Sequence, residues 1–390
     1  MRKSIIAAAV AATALTMGAG GAQAKDVKIG VLLGFKGVYA KLAEQIMQGY
    51  EVALDTVGRT INGNKIVILK ADNENKPPVA IQKARKMVKS EGVTAIGGVI
   101  SSGVGVAMAK FAKQQKVPVV VTLAVADVIT GKFCNRYIFR SSFAAYALQS
   151  GIGEYWAKKY KTAVAMGPDY AAGHAMVGGF KAGFEKAGGK VKEVMWSAYG
   201  KTQDWGPLLA KAKASGADMI FSFYAGKEAI QVVKQHAAFG LKMPLYGGHW
   251  LYDQSLWPAM GEKAVLGAIH HTTHVPALDN AANKAFVAAY SKKYGSEPDI
   301  NAYLGYENAM SILLAIKAQG KNVTREGTAK ALTAVKYESP RGTFQFSKDN
   351  NAQLPNIYLV QIAKGSDGKL YRKPIATLPG GKDKPGCKMK

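Results

Sequence analysis

Cysteine is nearly absent, with two in 390 residues. That excludes a disulfide-dense mini-fold and a four-cysteine zinc site. Acidic residues are also few, 26 against 52 lysines and arginines, so the formal net charge is +26. Within the basic set arginine is scarce, 8 against 44 lysines. Dedicated nucleic-acid readers depend on arginine for bidentate phosphate and guanine contacts. The balance argues against a nucleic-acid partner and for a solvated lysine coat. Beyond the N-terminus, charges interrupt every long apolar stretch, and none approaches the roughly 20 residues a membrane span needs.

The motifs of catalysis and cofactor binding are missing too. Gly103-Val104-Gly105 is followed by Met108 where a dinucleotide fingerprint requires Gly or Ala. Gly200-Lys201-Thr202 matches the end of a phosphate loop, but Met195 stands where its first glycine belongs. No G-x-S-x-G elbow surrounds Ser101 or Ser102. Four of the six histidines are His249, His270, His271 and His274. The 270/274 spacing would join two imidazoles on a helix, but Ala264–Ile269 followed by Thr272-Thr273 reads as a strand entering a loop. No acid accompanies them as in H-E-x-x-H. We expect no metal site, no cofactor and no enzymatic activity, since no nucleophile–base pair stands out.

What is present describes a secreted globular protein. Hydrophobic residues make up 48% and charged residues 20%, and the length allows two domains. Arg2 and Lys3 precede an uncharged apolar run, Ile5–Met17, and Ala22-Gln23-Ala24 is a small-x-small cleavage site. Residues 1–24 read as a signal peptide cleaved after Ala24, with an uncleaved N-terminal anchor as the alternative. The expected compartment is a bacterial periplasm. No cysteine follows the apolar run, which argues against lipoprotein processing. In an oxidising compartment the two thiols, Cys134 and Cys387, are expected to pair.

Strand-like and helix-like stretches then alternate. Val27–Leu33, Lys65–Leu69, Thr94–Ile100 and Val117–Val121 read as strands, with helices at Lys41–Val57, Pro77–Ser90 and Gly103–Gln115 between them. Continuous Val/Ile runs of this kind suit a parallel sheet buried on both faces. The pattern restarts after Arg140, with strands at Thr162–Met166, Val191–Trp196, Met219–Phe223, Pro244–Tyr246 and Ala264–Ile269. Helices are expected at Leu148–Lys159, Gly173–Ala187, Leu208–Ala214, Lys227–Phe239, Asn280–Tyr294, Ala302–Gln319 and Arg325–Ala334. Gly342–Phe346 and Asn356–Ile362 read as a strand pair, followed by a lysine-rich tail. Two α/β blocks without a linker imply two lobes joined by several crossings, expected near Arg140–Phe143, His274–Ala277 and Asp349–Leu354.

Five segments carry a family likeness in order: Lys28–Leu33 with Gly37 and Tyr39, Gly97–Ser102, Lys116–Ala124, Gly167–Gly173, and Ala217–Phe221 through Glu228 to Leu241. Together they resemble the type I periplasmic solute-binding proteins of ABC importers, in the branched-chain amino acid and aromatic acid group. The resemblance implies an α/β fold of two three-layer α/β/α lobes with mostly parallel sheets and a three-crossover hinge. Lobe 1 is expected to hold residues 25–142 and 275–350, and lobe 2 residues 143–274 and 351–390. It also implies a monomer that carries a small carboxylate to ABC permease subunits in the inner membrane.

Open parallel sheets bind ligands beyond the carboxyl ends of their strands. Ser101 and Ser102 sit there at a helix start, with Thr122, Leu123 and Ala124 after the next strand, and such turns can cradle a carboxylate. The family places an aromatic wall at Tyr39, and Tyr170 is expected to close from the second lobe. Glu228 matches the acid that holds the ammonium in amino acid binders, although a first-turn Glu also simply suits the helix dipole. Tyr224, His249, Trp250 and Tyr303 complete the candidate set, whereas Trp205 and Trp257 are expected to pack. Val125 replaces a Ser or Thr common in amino acid binders. The expected ligand is therefore an aromatic acid such as benzoate or a hydroxybenzoate. A branched-chain or other hydrophobic amino acid is the alternative, and a periplasmic ligand sensor is the second class.

Overall fold

The computed structural model describes residues 26–353, 356–379 and 386–389. The expected signal peptide lies outside them. In the first sheet the strands are β1 (Val27–Leu33), β2 (Thr60–Ile61), β3 (Asn64–Asp72), β4 (Ala95–Gly98), β5 (Val119–Val121) and β6 (Ile138–Arg140), in the order β2-β3-β1-β4-β5-β6. All are parallel except the short β2. The connecting helices are α1 (Ala40–Val57), α2 (Pro77–Lys89) and α3 (Ser102–Gln115). Side-chain alternation buries both faces. Val119 and Val121 pack with α2 and α3 residues such as Ala84 and Met108, while Val120 joins the core that holds Ile46 of α1.

The chain crosses to a second sheet through Ser141–Ala144. Its elements begin with α4 (Ala145–Ala157), β7 (Thr162–Pro168), α5 (Ala171–Lys186), β8 (Lys190–Ser197) and α6 (Gly206–Ala214). They continue with β9 (Met219–Ser222), α7 (Gly226–Ala238), β10 (Leu245–Gly248), the short helices α8 (Trp257–Met260) and α9 (Glu262–Val265), and β11 (Ile269–Thr272). The chain then returns to the first lobe for α10 (Ala281–Tyr294), α11 (Ile300–Lys317), α12 (Arg325–Leu332) and the hairpin β12–β13 (Lys336–Ser339, Gly342–Gln345). It crosses a last time to β14 (Ile357–Lys364) and β15 (Leu370–Leu378), which close the second sheet in the order β15-β14-β11-β10-β9-β7-β8. No helix among the described residues is long and apolar enough to cross a membrane.

Three sequence expectations need correction. The strand expected at Ala264–Ile269 begins only at Ile269. Gly261 and Gly267, both at positive φ, bracket the helical turn α9, so the apolar residues there pack without joining a sheet. Gly342–Phe346 does not pair with Asn356–Ile362. The first stretch pairs with the preceding strand β12, and the second inserts between β11 and β15. Part of the expected tail is itself a strand, β15. Of the third crossing, expected at Asp349–Leu354, residue 354 lies outside the described residues.

The helix α11 is apolar almost all round, and 16 of its 18 residues are buried. A helix without a polar face belongs in the interior. It lies against α1 with almost no gap. A Cβ on Gly49 would sit 1.8 Å from the carbonyl oxygen of Ala302, and one on Gly305 2.1 Å from that of Ile46. Only glycine allows such backbone approach.

Cys134 and Cys387 are joined by a disulfide, their Cα atoms 5.6 Å apart and 253 residues apart in sequence. It ties the C-terminal end back to the loop before β6. A loop of that length allows at most about 5 kcal/mol of stabilisation in the chain-entropy account. Thiol titration of the unfolded, unreduced protein is expected to find no free thiol. Two labelled thiols per chain would show that the bond is not made.

Candidate functional site

The carboxyl ends of both sheets face one cleft. There a cavity is lined from the first lobe by Tyr39, Leu42, Ile100, Ser102, Leu123, Val125 and Asn301. From the second lobe come Tyr170, Ala172, Phe223, Ala225, His249, Trp250 and Asp253.

The turn from β4 into α3 is strained. Val99 has φ +68°, a left-handed conformation that β-branched residues avoid. Its backbone is pinned on both sides. Its N–H donates to Leu32 O at 2.8 Å, and its carbonyl accepts from Leu123 N–H and Ala124 N–H at 3.2 Å each. The turn thereby starts α3 at Ser102, with the first-turn N–H groups free of helical partners. Ser102 Oγ accepts from Val125 N–H at 3.0 Å and Ala126 N–H at 3.1 Å. With its lone pairs engaged, the hydroxyl proton is left for a ligand oxygen. Beneath this loop the buried Arg140 donates to Ala124 O, Ala126 O and Thr130 Oγ1 at 2.7–3.1 Å, fixing the stretch that presents Val125.

The second-lobe wall is a chain of rings. Tyr199 stacks on Tyr170 at 4.1 Å between centroids, Tyr170 lies 6.4 Å from Phe223, Phe223 meets Trp250 edge-on at 5.4 Å, and Trp250 meets His249 edge-on at 4.6 Å. Across the cleft, Tyr39 Oη and Tyr170 Oη are hydrogen-bonded at 2.7 Å. Burial pushes both phenols up, so both are neutral. A second bridge joins the lobes where Asn301 Nδ2 donates to Asp253 Oδ2 at 2.9 Å. Burial also raises the Asp253 carboxyl, and Asp299, beside it, is pushed up to about 7 by burial and by Asp253. His249 is held well below the usual histidine range by burial, so its ring is neutral.

Of the sequence candidates, the cavity wall takes Tyr39, Ser102, Leu123, Tyr170, His249 and Trp250. Ser101, Thr122 and Ala124 are buried behind the same turns. Ser101 is the N-cap of α3 without a side-chain cap bond. Three candidates lie elsewhere. Tyr224 points to the other side of its strand end and meets Trp205 edge-on at 5.5 Å. Glu228 lines a neighbouring pocket with Val38, Gly200 and Lys227, and its Oε1 accepts the Gly200 N–H at 2.9 Å. Tyr303 stacks on His274 at 4.4 Å and lies under the Arg341 guanidinium, at the hinge. The wall residues that sequence reasoning missed include Phe223, Asp253 and Asn301. Phe223 has a sequence signal, because it precedes Tyr224 at the same strand end, and adjacent strand residues face opposite sides. Among the described residues no cluster of His, Cys, Asp and Glu could hold a metal ion.

Two α/β lobes lie on either side of one cavity, an arrangement suited to holding a small molecule between them. The chain belongs to the periplasmic binding proteins, whose family model matches residues 26–369. It is a type I binding protein of an ABC importer, a periplasmic component that takes up a small molecule and works with permease subunits. It is 30% identical, over 97% of its length and 99% of the relative's, to Leu/Ile/Val-binding protein homolog 6 of Brucella melitensis. Among solved structures it resembles a solute-binding protein of an ABC transporter from R. palustris in complex with benzoate, at 33% identity and TM-score 0.86, covering 93% of this chain and 99% of that one. A second R. palustris solute-binding protein, in complex with 4-hydroxybenzoate, is 27% identical with TM-score 0.85, covering 92% and 98%.

Proposed function

We propose that the protein captures an aromatic carboxylate, of the benzoate or hydroxybenzoate type, by closing its lobes over the cavity, and delivers it to the permease. The observation that carries this reading is the position of Glu228. The acid that would hold an ammonium is not among the residues lining the cavity, and its Oε1 accepts the Gly200 N–H. In its place the wall offers ring surface from Tyr170, Phe223 and Trp250, each aromatic contact contributing about 0.5–1.5 kcal/mol. Ser102 Oγ–H and the N-terminus of α3 supply the carboxylate's donors, and such charge-assisted bonds are the strong ones. Affinity near −8 kcal/mol, roughly micromolar, lies within reach of so small a ligand.

A hydrophobic amino acid is the second reading. Asp253, a carboxyl on the wall, is the feature that favours it. Calorimetry separates the two. Benzoate or a hydroxybenzoate is expected to bind, and Glu228→Gln to change that affinity less than about threefold, or 0.6 kcal/mol. Tight leucine binding with no heat from any benzoate would overturn the aromatic reading.

A further inference from the structure

We propose that the cavity selects a ring-hydroxylated acid, 3- or 4-hydroxybenzoate over benzoate, by receiving the phenolic hydroxyl between Asn301 and His249. The inference rests on the aromatic-carboxylate reading and specifies the ring substituent which that reading leaves open.

Two buried polar side chains on the cavity wall lack hydrogen-bond partners. Asn301 is 1% exposed. Its Nδ2 donates to Gln45 Oε1 and to Asp253 Oδ2, both at 2.9 Å. Both amide hydrogens are thus used by acceptors, which fixes the orientation of the amide. Its Oδ1 remains buried without a partner. His249 is 2% exposed, and neither ring nitrogen has a partner. Burial keeps that ring neutral, so one nitrogen donates and the other accepts. Both residues line the cavity. Buried polar groups left unpaired are costly, and proteins nearly always satisfy them.

Benzoate brings its carboxylate to Ser102 and has no hydrogen to offer an acceptor on its ring. A phenolic hydroxyl carries one donor and one acceptor. It can give its hydrogen to Asn301 Oδ1 and take one from the His249 N–H. Sites built to bond a substrate hydroxyl discriminate strongly against the analogue that lacks it. The ortho isomer is the exception, because its hydroxyl bonds its own carboxylate.

Calorimetry on the full-length mature protein tests this with benzoate, the three hydroxybenzoates and 4-methylbenzoate as a size control. The 3- or 4-isomer is expected to bind about tenfold or more tighter than benzoate and 4-methylbenzoate, and the 2-isomer to gain nothing. In His249→Phe and in Asn301→Ala the ratio of the benzoate Kd to the hydroxybenzoate Kd is expected to fall below about three. The Asn301 amide also bridges Gln45 and Asp253, so that variant is checked by thermal melting. His249→Phe breaks no bond within the protein and decides the matter if Asn301→Ala fails to fold. Benzoate binding as tightly as every hydroxybenzoate would overturn the inference and leave the aromatic reading standing, as would a ratio that survives His249→Phe. No heat from any of the five acids would overturn both.

Discussion

Replacing Arg341 with methionine is expected to destabilise the fold by about 3–5 kcal/mol, because it leaves a buried carboxylate without its partner. Arg341 and Glu307 are both buried, 2% and 0% exposed at their side chains, and paired at 2.5 Å. The same guanidinium holds the hinge. It donates to Ser141 O at 3.0 Å in the first crossing and to Gln353 Oε1 in the third. Its plane lies over Tyr303, 5.1 Å from the ring centroid, and Tyr303 stacks on His274 in the second crossing. All three crossings therefore meet around one charge. Urea unfolding followed by circular dichroism reads the effect. The double variant Arg341→Met/Glu307→Leu is expected to recover part of the loss, since neither charge then remains. A loss below about 1 kcal/mol for the single variant would place it among ordinary substitutions and remove Arg341 from this role.

Gly226→Val is expected to weaken solute binding about 100-fold, or ~2.7 kcal/mol. Gly226 opens α7 at φ +57°, and a Cβ there would lie 2.3 Å from the carbonyl oxygen of Val38 in the other lobe. That oxygen belongs to backbone and cannot swing aside. The clash exists only while the lobes are together, so it acts on closure. The left-handed φ adds local strain of order 1–3 kcal/mol in any lobe arrangement. Melting without solute reports the strain, and the rise in melting temperature on adding saturating benzoate or hydroxybenzoate reports closure. Scattering of the variant at saturation is expected to keep the larger radius of the unloaded protein. A variant that binds and contracts like the parent would show that this contact does not limit closure.

Much of the architecture is legible residue by residue. Val119–Val121 and Met219–Ser222 are short apolar runs that suit buried parallel strands, and Pro77-Pro78 marks the first turn of α2. The C-terminal third is less legible, for a physical reason. β15 carries Lys373 and other exposed residues on an edge, so half its pattern matches a solvated tail. The partner of Gly342–Gln345 is set by its local hairpin and not by the next apolar run. At the site, the strand ends could be located but not the direction of each side chain. Phe223 and Tyr224 differ by one position and by which side of the sheet they serve. Asn301 and Asp253 are brought together by α11 and the loop after β10, 48 residues apart. No local pattern in either segment announces that meeting.

Trp250 has a consequence for how loading can be seen. The chain has five tryptophans. Trp156 stacks on Tyr246 at 4.0 Å, Trp196 packs on His174, Trp205 meets Tyr224, and the Trp257 indole donates to Tyr252 O at 3.0 Å. Trp250 alone of the five is on the cavity wall, its Nε1–H buried and unbonded. A solute arriving there touches that indole and none of the other four directly. The molecule carries a built-in optical label at the point of capture, read as a shift in emission on loading that is lost in Trp250→Phe.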